Sequence, residues 1–136
     1  MLGQFIKPMR IGMLALATAL AATAASAADG VTDTTVLLGM SAPLSGPAGT
    51  YGRQLKEGIE ACFQKVNAAG GVHGRQLKLL AVDDGYEVDN TVANAKRLIE
   101  SDKAFALMSF YGTSATAAVL PILSATGVPL VGTISG

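Results

Sequence analysis

The stretch "TVLLGMSAPLSGPAGTYGRQLKEGIEACFQKVNAAGG", residues 35–71, changes its hydrophobic pattern once, and this change indicates the fold class. Residues 35–40 form a short apolar run of β-favouring side chains, which predicts a strand that ends at a loop rich in proline and glycine. From residue 50 to 69 apolar residues recur every three or four positions, which predicts an amphipathic helix. Its apolar positions are Tyr51, Leu55, Ile59, Cys62, Phe63 and Val66.

The loop between this strand and this helix carries Gly46, Gly49 and Gly52. They read G-x-x-G-x-x-G, which is neither the G-x-G-x-x-G of dinucleotide-binding folds nor a P-loop with its G-K-[ST] ending. No lysine at the start of the helix is placed to reach a phosphate. We therefore expect a tight turn that lets the backbone approach a ligand, with Tyr51 either as an aromatic wall or as ordinary core packing.

The rest of the chain alternates between strand-like and helix-like segments. We expect strands at 77–82, 104–110 and 128–131, a helix with Asp89 as its N-cap, and a helix from Thr113 or Ser114 to about Ala125. This alternation predicts an α/β domain with a Rossmann-like, three-layer parallel sheet. Ligands bind beyond the carboxyl ends of such strands. The loops expected there are 41–50, 83–89, 111–114 and 132–136.

The N-terminus has the features of a secretory leader. Lys7 and Arg10 precede an uncharged apolar run, residues 11–22, and Ala25-Ser26-Ala27 offers the small residues that signal peptidase accepts. The apolar run is too short to span a bilayer as a stable helix, which disfavours the alternative of a membrane anchor. We expect residues 1–27 to be a signal peptide and residues 28–136 to be exported.

Charge and cysteine content limit the function classes. Residues 28–136 carry eight basic and ten acidic side chains, a net charge of −2, and contain no basic stripe of the kind that binds nucleic acid. Cys62 is the single cysteine, so no internal disulfide can form. Its apolar helix position predicts a small buried side chain rather than a nucleophile.

Two candidate chemical sites are weak. Asp83-Asp84-Gly85 at a strand end could hold a divalent metal, but the next strand ends in Phe110-Tyr111-Gly112 and adds no carboxylate. We therefore expect a solvated turn there. His73 lies between glycines with no partner that would orient it, so we expect an exposed turn residue. The sequence predicts no catalytic residue, no metal site and no cofactor.

The segment "YGTSAT", residues 111–116, follows an apolar strand and opens a helix. Backbone N–H groups and hydroxyls at a helix N-terminus can bind a carboxylate or a phosphate. Simple helix capping needs only one of these hydroxyls. The spacing alone does not decide between an anion site and a cap.

These motifs, taken in order, resemble the start of the Leu/Ile/Val-binding proteins of ABC importers, which have the type I periplasmic-binding fold. The resemblance rests on the P-L-S-G loop (43–46), the Tyr-Gly pair (51–52), "VNAAGGVHG" (66–74), the strand ending in Asp-Asp (83–84), the helix segment 93–99 and "GVPLVG" (127–132). It covers residues 34–136 and implies the N-terminal lobe of a two-lobe protein, incomplete in this chain. Ser109, Phe110 and Ile134 depart from the residues usual in this family.

The resemblance implies that two lobes close on an amino acid, which is then delivered to an ABC permease from the periplasm without any bond being broken. It implies that Thr113 and Ser114 hold the carboxylate and that Thr133 and Ser135 take the ammonium. It also implies that Tyr51 lines the pocket and that Tyr111 and Gly112 border the ligand side chain. A ligand-sensing lobe of an exported receptor or regulator is the alternative with the same fold. An enzyme is a distant third, because acid, base and nucleophile are lacking.

Overall fold

The computed structural model describes residues 28–134, and within them it confirms the predicted α/β fold and element order. The expected signal peptide and Ser135 lie outside the described residues. Strands and helices alternate along the chain. They are β1 (Thr35–Ala42), α1 (Gly49–Ala68), β2 (Gln76–Asp83), α2 (Val88–Glu100), β3 (Ala106–Met108), α3 (Thr113–Thr126) and β4 (Leu130–Val131).

The four strands form one parallel sheet in the order β2-β1-β3-β4. Ser41 of β1 pairs with Val82 of β2, and Leu38 of β1 pairs with Ala106 of β3. The chain goes from β1 outward to β2 and then returns across β1 to β3. The loops that follow β1 and β3 therefore diverge, and such a switch point is where open α/β sheets form a ligand crevice.

Helices α2 and α3 cover one face of the sheet and enclose the core. Gly39 lets α2 approach β1 closely, since a Cβ there would lie 2.9 Å from a Leu107 methyl and 3.1 Å from the Leu98 methyls. The alternation of side chains along the strands brings Leu80 and Val82 to the same face. The buried members of this core are Ala95, Leu98, Ile99, Ala104, Leu107, Phe110 and Val119.

Helix α1 lies on the opposite face and is only half-buried. Its sole buried residues are Gly49 and Gly52, and Gly52 packs so closely on the preceding loop that a Cβ would overlap the carbonyl oxygen of Pro43. Leu55, Ile59 and Phe63 face the sheet but remain partly accessible. The predicted burial of Cys62 is wrong, because Cys62 lies outside the narrow strip of α1 that contacts β2 and is exposed.

Several predicted boundaries differ from the structure. Strand β3 ends at Met108, because Ser109 adopts a φ of +55° that an extended strand cannot continue. The predicted N-cap Asp89 lies inside the first turn of α2, whose N-cap is Glu87. Gly112, with a φ of +104°, is the N-cap of α3, so neither Thr113 nor Ser114 is the cap residue. No helix in the described part of the chain is long and apolar enough to cross a membrane.

Candidate ligand-binding site

The loops after β2 and β3 and the start of α3 enclose a cavity of about 400 Å³ at the carboxyl edge of the sheet. The cavity is open to solvent and combines polar and apolar walls. Its position agrees with the crevice expected where β1 and β3 diverge. Its lining residues are Tyr86, Val88, Tyr111, Gly112, Thr113, Ser114 and Ala115.

The turn between β3 and α3 is fixed by backbone hydrogen bonds to the loop after β4. The Gly112 N–H donates to the Ile134 carbonyl at 2.8 Å, and the Ile134 N–H donates to the Phe110 carbonyl at 2.9 Å. The Phe110 side chain is fully buried and anchors the same turn in the core. The first turn of α3 is thereby held at the cavity, where the N-terminal end of the helix dipole favours negative charge.

Three tyrosine rings, from Tyr51, Tyr86 and Tyr111, form a continuous group that we call the tyrosine cluster. Tyr111 is central: its ring stacks on Tyr51 with centroids 6.1 Å apart and planes 13° apart. The Tyr86 ring lies 5.7 Å from Tyr111 and is tilted by 56°. Tyr51 is 61% exposed, so its interpretation as core packing is wrong, and Tyr86 is 56% exposed.

Tyr86 reaches the cavity because its backbone takes a left-handed conformation, with a φ of +68°. The Tyr86 N–H donates a hydrogen bond of 2.9 Å to Oδ1 of Asp84, which stabilises this bend. The ring then lies against Gly112, where a Cβ would be 3.2 Å from Tyr86 Cε2. A side chain at position 112 would therefore push Tyr86 away from Tyr111.

Asp84 is the centre of a buried hydrogen-bond network and not a solvated turn residue, so that part of the sequence interpretation is wrong. Only 1% of Asp84 is exposed. Its Oδ2 accepts hydrogen bonds from the Ser41 hydroxyl at 2.8 Å and the Thr91 hydroxyl at 3.1 Å. These donors satisfy a carboxylate that would otherwise be costly to bury. Among residues 28–134 no group of three or more His, Cys, Asp or Glu side chains could hold a metal ion.

Asp83 is exposed and shapes the loop after β1, as a turn aspartate was expected to do. Its Oδ1 accepts the N–H groups of Leu44 at 2.8 Å and of Gly85 at 2.9 Å, with Ser45 more distant at 3.3 Å. The pKa of Asp83 is held below its usual value chiefly by a hydrogen bond from the Ser45 side chain, and these backbone donors lower it further. Asp83 therefore joins the glycine-rich loop to the end of β2.

The structure brings most of the sequence-predicted site residues together. Tyr111, Gly112, Thr113 and Ser114 line the cavity, and Tyr51 stacks at its edge without lining it. Thr133 is exposed and outside the lining, although it precedes Ile134, which pairs with Tyr111. The roles of all these sequence-predicted residues as ligand contacts stay predictions.

Tyr86 and Val88 line the cavity but were missed from the sequence. The available signal was an aromatic residue directly after the Asp-Asp-Gly turn at the end of a strand. His73 is exposed in a turn with a φ of +50°, as predicted.

The sequence of this chain is similar to that of a known binding protein. Over 113 residues it is 33% identical to Leu/Ile/Val-binding protein homolog 3 of Brucella melitensis, covering 83% of this chain and 30% of the relative. The chain thus spans less than a third of that relative's length.

Two solved structures share the fold and hold ligands. One is the branched-chain amino acid transporter substrate-binding protein LivJ from Streptococcus pneumoniae in complex with isoleucine, with a TM-score of 0.70, 26% identity, and 75% of this chain and 29% of that chain covered. The other is a solute-binding protein of an ABC transporter from Rhodopseudomonas palustris in complex with 3,4-dihydroxybenzoic acid. Its TM-score is 0.68 and its identity 27%, and the match covers 75% of this chain and 28% of that chain.

The family model described as "Periplasmic binding protein" matches residues 35–136. This match includes every strand and helix described above and the whole cavity. The chain therefore belongs to the periplasmic binding proteins, within the type I group that includes the branched-chain amino acid receptors, and this is a family of solute-binding proteins rather than enzymes.

Proposed function

We propose that residues 28–136 form the N-terminal lobe of the extracytoplasmic substrate-binding component of an ABC transporter. The protein binds an amino acid or a similar small solute with a carboxylate and delivers it to a membrane permease. The observation that carries the proposal is the cavity at the carboxyl edge of the sheet, bounded by the start of α3. Membership of the family supports the role, and this chain's own residues support the choice of ligand chemistry.

The start of α3 suits a carboxylate for two reasons. The first N–H groups of a helix have no acceptor within the helix, and the helix dipole attracts negative charge to this end. Ser114 and Thr113 add hydroxyls beside those N–H groups, and both line the cavity. Isoleucine and 3,4-dihydroxybenzoic acid, the ligands of the two structural relatives, differ in shape but share a carboxylate.

The remaining roles follow from position. Tyr51 lines the pocket beside Tyr111, and Tyr111 and Gly112 border the side chain of the ligand. Thr133 and Ser135, which follow β4 in the sequence, take the ammonium of an amino acid. Residues 1–27 direct export to the periplasm and are then removed. Closure of a second lobe over the ligand completes the site and shifts the population to the closed form.

The test uses the full-length exported protein. Thermal-shift screening against amino acids and other small carboxylates, followed by calorimetry, should identify a solute that binds. Ser114→Ala should weaken its affinity by about tenfold, because a hydrogen bond to a charged group is lost. Ser124→Ala is the matched control, since Ser124 is exposed near the far end of the same helix. Equal affinity in both variants would exclude Ser114 as a carboxylate contact.

A second measurement addresses transport. Deletion of the gene should abolish uptake of the radiolabelled solute, and the intact gene should restore it. If a solute binds tightly but its uptake does not change, the protein is a sensor rather than a transport receptor.

A further inference from the structure

The wall of the cavity includes aromatic side chains. Tyr86 and Tyr111 both line it, and Tyr51 extends the same surface by stacking on Tyr111. More than half of Tyr51 and of Tyr86 is open to solvent. Exposed apolar groups that are contiguous, rather than scattered, mark binding surfaces. The rest of the apolar lining is small, consisting of Val88 and Ala115.

The geometry of the tyrosine cluster suits a flat ring. Tyr86 and Tyr111 meet at 56°, so their rings form a corner rather than a flat patch. A planar ligand ring placed in this corner can stack with offset on one tyrosine and present its edge to the other, which are the two preferred arrangements of aromatic pairs. A branched aliphatic side chain would fill the same volume but would gain neither arrangement.

The corner is also held in place before any ligand arrives. The hydrogen bond from the Tyr86 N–H to Asp84 fixes the bend, and Asp84 is itself held by Ser41 and Thr91. Tyr86 rests against the bare Cα of Gly112, which supports one side of its ring. A binding surface that is already ordered loses less conformational entropy when the ligand binds.

From these observations we infer that the site selects a carboxylate that carries an aromatic ring over a branched aliphatic amino acid. Tyr86 is the specificity-determining residue, and the carboxylate binds at the start of α3. This inference rests on the proposed function, because it names the class of solute for the same site. Two kinds of ligand have this chemistry: an aromatic amino acid, and an aromatic acid that lacks an ammonium group.

The experiment is calorimetry on the full-length protein with leucine, isoleucine, phenylalanine, benzoate and 4-hydroxybenzoate. We expect at least one aromatic compound to bind about tenfold more tightly than leucine, from favourable ring contacts with two tyrosines. Binding of phenylalanine without benzoate would identify an aromatic amino acid as the source. Binding of either benzoate would identify an acid without an ammonium.

Two variants test the role of Tyr86. Tyr86→Leu keeps an apolar side chain but removes the ring, and the ratio of aromatic to leucine affinity should fall about threefold to tenfold. Tyr86→Phe keeps the ring and should restore the ratio. Circular dichroism confirms that each variant is folded, which is expected because Tyr86 lies in an exposed loop.

The outcomes separate this inference from the proposed function. If leucine or isoleucine binds more tightly than every aromatic compound, the inference is overturned and the proposed function stands. If the folded protein binds none of these five compounds, the inference is overturned; if it also binds no amino acid or small carboxylate in the wider thermal-shift screen, the proposed function fails as well. If Tyr86→Leu leaves the affinity ratio unchanged, Tyr86 does not determine specificity.

Discussion

The hydroxyl of Ser41 donates a hydrogen bond of 2.8 Å to the Asp84 carboxylate, and this contact joins the end of β1 to the end of β2. Asn94 of α2 donates to the Ser41 oxygen at 3.1 Å, so the helix is attached to the same point. Through the Tyr86 N–H the network also reaches the cavity wall. A buried carboxylate thus connects the rigid sheet to the loop that carries Tyr86.

Replacing Asp84 should therefore affect both stability and the site. Asp84→Ala leaves the hydroxyls of Ser41 and Thr91 and the Tyr86 N–H without their acceptor, which should lower the free energy of unfolding by about 3 kcal/mol. Urea denaturation followed by circular dichroism measures the change. Asp33→Ala is the control, because Asp33 is exposed and should change stability by less than about 0.5 kcal/mol. Similar losses in both variants would contradict the role given to Asp84.

Two glycines of α1 should respond in opposite directions to the same substitution. Gly52→Ala places a Cβ on the Pro43 carbonyl oxygen and should lower the free energy of unfolding by about 2–3 kcal/mol. Gly58 has open space around its Cβ position, so Gly58→Ala should raise it by about 0.5–1 kcal/mol through better helix propensity. Thermal denaturation of both variants and of the parent protein measures the two changes in stability. A Gly52→Ala protein as stable as the parent would show that α1 is not seated on the loop as described.

The Asp83 carboxylate should make the stability depend on pH in the acid range. Its hydrogen bonds favour the charged form and lower the pKa in the folded state. Its contribution is therefore present above the unfolded-state value and is lost as the pH falls through the lower folded-state value, below about pH 4. Asp83→Asn keeps an acceptor oxygen but no charge, so it should be less stable than the parent at pH 7, and the difference should shrink on acidification. Melting temperatures from pH 7 to pH 3 test this. A difference that does not vary with pH would argue against the charged carboxylate as the cause.

Cys62 should react with thiol reagents in the folded protein, because its side chain is exposed on α1. We expect maleimide labelling in native buffer to be complete on the timescale seen in denaturant. Cys62→Ser should remove this labelling, which would show that the reagent reacts with Cys62. Labelling that requires denaturant would show that Cys62 is covered in the folded protein.

The fold could be predicted from the sequence because its signals are local. The switch from a β-rich run to helical spacing near residue 50 depends on neighbours within a few positions, and so does the alternation that follows. The position of the cavity at the start of α3 was predictable for a related reason. A turn such as Tyr111-Gly112 after a strand of a parallel sheet must lie at the carboxyl edge.

Residues whose environment depends on distant segments could not be assigned in this way. Asp84 was taken for a turn residue because its partners Ser41 and Thr91 come from another strand and from the following helix. Cys62 has the spacing of a buried helix position, but the part of α1 that contacts the sheet is narrower than its apolar stripe.

The sequence by itself determined the order of strands and helices, their parallel arrangement and the edge of the sheet at which the cavity lies. Hydrophobic periodicity and turn residues carry that information, because they act within one element. Only the tertiary structure decided that Tyr86 and Val88 share the cavity with the residues at the start of α3. Tyr86 joins Tyr111 because a left-handed backbone turn, held by a buried carboxylate, brings its ring onto Gly112. That arrangement depends on contacts between segments far apart in the chain, which local patterns do not record.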